Sequence, residues 1–91
     1  MPEAWRTAYP LEQRELDGEI VAYCDATGDT FKLAPVAHAV LEVLTPAPKD
    51  LQALSATAAK TFAADQTAIE PIVADTVYDL ESLGIVERVS L

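Results

Sequence analysis

LDGEIVAYCDATGDTFKLAP, residues 16–35, reads as a β-hairpin that runs straight into a helix. Asp17-Gly18 is a two-residue turn of the kind that favours φ > 0 at both positions. Glu19 to Asp25 is rich in β-formers, with Ile20, Ala22 and Cys24 on one face and Val21 and Tyr23 on the other. Ala26-Thr27-Gly28-Asp29 makes a second turn, with Gly28 where a left-handed residue is needed. Thr30 to Leu33 is a short returning strand. Phe31 and Leu33 share one face of it, Thr30 and Lys32 the other. Lys32 on a short edge strand is a usual guard against unwanted pairing. Ala34-Pro35 then opens a helix. A small sheet before a helical remainder leaves a free sheet edge beside a helix, and such an edge can receive an extended peptide.

Outward from the hairpin, Gln13 to Leu16 supplies the first strand and Trp5 to Pro10 a short extended segment. The first helix spans about 35–44, until Pro46 and Pro48 break the chain. The second spans about 51–64 with Asp50 as its N-cap. The third spans about 68–83. Thr67 and Glu70 have capping-box spacing for its start, and Glu70-Pro71 offers a competing one. Gly84 is its stop, and 84–91 is an extended tail. The strands lie within about 4–33. The fold class expected is α+β: an N-terminal antiparallel three-stranded sheet followed by three helices. The second and third helices with the tail make it winged helix-turn-helix-like.

Ninety-one residues leave room for one core only, so residues 1–91 are a single domain. The hydrophobic fraction of 51% argues against disorder. Fifteen acids against six bases give a net charge of −9, which repels nucleic acid and anionic membranes. The third helix, in the position of a DNA-recognition helix, has four acids and no Lys or Arg, which disfavours phosphate contact. No apolar stretch approaches the roughly 20 residues of a membrane span. MPEAWRTAYP has neither the basic start nor the apolar run of a signal peptide. A lone cysteine excludes an internal disulfide, and the expected compartment is a reducing cytoplasm.

No catalytic residue, metal site or cofactor is expected. His38 is the single histidine; on the polar side of the first helix it reads as a solvated residue four positions from Glu42. Cys24 reads as a small buried hydrophobe. Asp25 and Asp29 are turn formers without the ligand count of a calcium loop.

The run GEIVAYCDATGDTFKLAPVAHAVLEVL, residues 18–44, resembles the signature of the PqqD-like peptide chaperones, the RiPP precursor recognition elements. DTVYDLESLGIVE, residues 75–87, resembles the family's closing pattern. Trp5 and the Gly-Asp-Thr run make the chain most similar to the small stand-alone members found beside HPr kinase homologues. The resemblance implies a module that binds the leader of a ribosomally made precursor peptide and presents it to a modifying enzyme. The leader would add as a strand to Asp29, Thr30, Phe31, Lys32 and Leu33, against a wall of Val73, Thr76, Val77 and Leu80. The third helix's apolar face is about 140° wide on the wheel, more than the roughly 100° stripe that one core requires. The surplus fits either a groove or more core. Two departures from the family, Ala34 for its usual Asn and Lys32 at a commonly apolar position, prevent leader preference from being carried over. The alternative is a protein–protein adaptor or regulatory subunit that binds no leader. Oligomeric state is not encoded in any pattern visible here.

Overall fold

The computed structural model describes residues 3–9 and 11–90. The hairpin forms as its turn chemistry dictates. β2 (Leu11–Leu16) and β3 (Glu19–Cys24) are joined by Asp17 at φ 53° and Gly18 at φ 80°, both left-handed. Leu16 faces Glu19 and Leu11 faces Cys24. β3 then pairs with β4 (Asp29–Leu33), from Cys24 opposite Asp29 to Ile20 opposite Leu33. Gly28 takes φ 77°, and its N–H donates to the Cys24 carbonyl at 2.8 Å. The order β2-β3-β4 makes this an antiparallel three-stranded sheet. Its first strand starts at Leu11 rather than Gln13, because Leu11 packs against the core.

A second three-stranded sheet, not expected from the sequence, is built from segments far apart in the chain. β1 (Glu3–Thr7) lies between β5 (Lys49–Asp50) and β6 (Val86–Ser90). The C-terminal stretch is therefore a paired strand and not a free tail, and strands are not confined to about 4–33. The physical reason is burial: Ala4, Trp5, Ile85 and Val86 are all buried. Pro10 and Leu91, parts of the expected extended segments, lie outside the described residues.

α1 (Pro35–Leu44) has the expected bounds and buries Ala37, Val40, Leu41 and Leu44. α2 (Leu51–Thr61) starts as expected, with the Asp50 carboxylate accepting from the Ala53 N–H at 2.8 Å. It stops three residues before the expected 64. Phe62 caps it, Ala63 turns left-handed at φ 50°, and Ala64 N–H closes on the Ala59 carbonyl. That is a Schellman ending built on alanine where glycine is the usual choice. An L-residue there costs about 1–2 kcal/mol. Ala63→Gly is expected to raise stability by roughly 0.5–1 kcal/mol, read from the urea midpoint.

α3 (Gln66–Ser82) begins two residues before the expected 68 and ends one before 83. Neither sequence start is used: Asp65 is the cap, accepting from Ala68 N–H at 3.2 Å. Pro71 is accommodated inside the helix. Pro71 has no N–H to donate to the carbonyl of Thr67, an exposed residue one turn earlier. At the far end Gly84, at φ 78°, stops the helix; its N–H meets Glu81 and that of Ile85 meets Leu80. The α2–turn–α3–β6 order is compatible with a winged helix-turn-helix. None of the helices among the described residues is long and apolar enough to cross a membrane.

One core joins these parts. Trp5, Leu41, Leu44, Leu54, Val73, Val77 and Val86 are among its buried members. Arg88 clasps the second sheet to α3. Its guanidinium lies 5.4 Å from the Trp5 ring centroid and 5.7 Å from that of Tyr78. It donates to Glu81 at 2.8 Å and to Glu3 at 3.2 Å. The Arg88 hydrogen bond holds the Glu81 carboxyl below the usual carboxylate range, and Glu81 in turn raises Arg88. A carboxyl depressed on folding contributes stability above its unfolded pKa, and that contribution is lost as pH falls through the folded value. Arg88→Met is therefore expected to lower Tm at neutral pH. The gap to wild type should narrow in melts below about pH 4.

Candidate functional site: a free sheet edge beside α3

β4 is paired on one side only, with β3. The backbone N–H and C=O groups of alternate residues therefore point away from the sheet. Phe31 and Leu33 are half-buried and pack on the core, while Thr30 and Lys32 face outward. Beside this edge runs α3. A groove of about 380 Å³ lies between them, bordered by Thr30 to Ala34 on the strand side and by Thr76, Asp79, Leu80 and Leu83 on the helix side. Ala37 and Ile85 also line it. A smaller recess of about 170 Å³ adjoins it, sharing Phe31, Leu83 and Ile85 and adding Asp29, Tyr9, Leu11, Cys24 and Thr27. Phe31 thus divides two apolar hollows along one edge.

Of the residues expected from the resemblance, Thr30, Phe31, Lys32, Leu33, Thr76 and Leu80 come together in the groove. Asp29 borders the recess. Val73 and Val77 do not reach the groove: both are fully buried in the core beneath it. The wheel places them on the same side of α3 as Thr76 and Leu80, but the core claims that part of the face. Leu83, on the broad apolar face of the third helix and near its end, is a wall residue that the expected set did not include. It is 59% exposed, and its position between an amphipathic helix and a stop glycine is the signal that marks it. Asp79, Ala37 and Ile85 carried no such signal.

The electrostatics are sparse. Lys32 and Asp79 are the charged groups bordering the groove, with Asp29 in the recess. Lys32 Nζ lies 3.1 Å from Glu19 Oε2. Cys24 is buried, and hydrogen bonding to Thr27 lowers its thiol pKa against the opposing effect of burial. His38 is not merely solvated. It is half-buried, with Nε2 3.0 Å from Glu42 Oε1 and Nδ1 2.6 Å from Gln13 Oε1, so it links α1 to β2. It borders a different groove, of about 430 Å³, with Ile20, Val43, Thr57 and Phe62. That groove meets β3, the central strand of its sheet, which is paired on both sides and presents no free edge. Among the described residues, no group of three or more His, Cys, Asp or Glu is placed to hold a metal ion.

A small α+β domain whose edge strand β4 is left open on one side, beside its last helix, is the class of protein defined so far. The family model for coenzyme PQQ synthesis protein D (PqqD) matches residues 11–86, and the chain belongs to that family. No curated protein matches the chain. Among solved structures, TbiB1 in complex with the TbiA(beta) leader peptide is similar at 18% identity and a TM-score of 0.69. The match covers 90% of this chain and 94% of that one, and it shows a shared fold.

Proposed function

We propose that this protein is a non-catalytic module that captures the leader segment of a ribosomally synthesised precursor peptide. The leader pairs as an added strand with Asp29–Leu33, and its inward side chains enter the hollows on either side of Phe31. The complex is then presented to a peptide-modifying enzyme in the cytoplasm. The observation that carries this reading is the unpaired β4 edge bordering an apolar groove walled by Thr76, Leu80 and Leu83. Backbone bonds along the edge supply affinity, and the hollows supply selectivity. Membership of the PqqD family supports it, as does the fold shared with a protein solved in complex with a leader peptide.

The test is a polarisation titration of the protein with fluorescein-labelled leaders of candidate ribosomal precursor peptides from the same genome. Saturable one-to-one binding is expected. No saturable binding, with and without the modifying enzyme, overturns the proposal.

A further inference from the structure

The outer face of the β2-β3-β4 sheet arranges its side chains in cross-strand rows. Arg14 stands opposite Val21, and Val21 stands opposite Lys32. Lys32 ends that row on the free edge, with its side chain 75% exposed. Its contact with Glu19 is diagonal, because Glu19 precedes Val21 by two residues on β3. The next position in the row belongs to whatever strand pairs with β4.

Resting on strand addition at β4 as proposed above, we infer that the bound segment carries an acidic residue in register with Lys32. Directly opposite side chains in an antiparallel pair share a face, with Cβ atoms about 4.5–5.5 Å apart. A carboxylate there reaches the ammonium, whose three donors are not exhausted by Glu19. The exposed Lys32–Glu19 pair is of the kind that contributes little, so sharing the ammonium sacrifices little. A basic residue at that position would meet Lys32 directly, and like charges so placed destabilise a pair. Lys32 therefore acts as a filter. It discourages indiscriminate pairing at the edge and admits a strand that brings the opposite charge.

The net charge of −9 points the other way, towards a basic ligand. Locality decides between them. Distant exposed acids are screened over about 8 Å at physiological salt, whereas Lys32 touches the added strand. The nearby acids are also differently placed. Glu19 is engaged with Lys32, Asp29 lies on the same side of β4 as Phe31, and Asp79 borders the groove from α3. An acid on the outward face of the ligand is therefore next to the cation, and the inward face is where Asp79 is met.

The experiment selects phage-displayed random twelve-residue peptides on the wild-type chain, on Lys32→Met and on Lys32→Glu, each first shown folded by circular dichroism. Wild type is expected to enrich peptides with Asp or Glu at one fixed position flanked by apolar residues. A synthetic peptide of that sequence should bind Lys32→Met about two- to fivefold more weakly, and Lys32→Glu more weakly still. Changing its acid to Lys should reverse the order, favouring Lys32→Glu over wild type. Enriched peptides without a fixed acid, or affinities unchanged across the three chains, would overturn the inference while leaving strand addition standing. No enrichment on wild type at all would instead count against strand addition itself.

Discussion

Val77→Asp is expected to unfold the domain. Val77 has no exposed surface and sits with Val73 and Leu80 in the main core. A carboxylate placed there loses the apolar contacts of the valine and has no charged partner. Ionised, it is desolvated without compensation; protonated, it still buries a polar group. Such changes fall in the severe class, at roughly 4 kcal/mol or more, against a total of about 5–15 kcal/mol for a domain. Urea denaturation followed by far-UV circular dichroism should show either no cooperative transition or one displaced to low denaturant. A variant that melts like wild type but fails to bind a leader would place Val77 at the groove surface instead.

Leu83→Asn is expected to do the reverse, sparing the fold and weakening the ligand. Leu83 is mostly exposed and lies beyond the last turn of α3, so its replacement should shift stability by no more than about 0.5 kcal/mol. Yet it borders both hollows beside β4. A ligand strand would cover it, and the apolar surface removed from water there would be lost in the variant. Truncating a buried anchor of this kind typically costs about 1–2 kcal/mol, a roughly five- to thirtyfold rise in Kd. Polarisation titrations of the same labelled leader on both chains measure it. Equal affinities would remove Leu83 from the interface.

The contrast between these two residues shows what the amino-acid order reveals and what it conceals. The hairpin was legible because its determinants are local: Asp17-Gly18 and Gly28 adopt the left-handed angles that their types favour. The bounds of α1 were legible for the same reason. The second sheet was not, because Ala4 pairs with Val89 and with Asp50, partners whose distance along the chain leaves no local trace. The start of α3 was misplaced because Thr67 and Glu70 also have cap chemistry, whereas the cap hydrogen bond in the structure is made by Asp65. Within the candidate site, β4 was visible as an edge. The helix wall was visible only as a broad apolar face. A helical wheel gives the angle of each residue but not where the core ends, so Val73 and Val77 were grouped with Thr76 and Leu80.

The ladder between β1 and β6 has a mechanical consequence. Its outermost pair is Glu3 with Ser90, and successive pairs run inward to Thr7 with Val86. Tension applied through these two strand ends loads the rungs one at a time, like a zipper opened from its tab, and does not shear them together. The ladder should therefore peel at low force. The β2-β3-β4 sheet lies off that line of pull and stays unloaded until the zipper has opened.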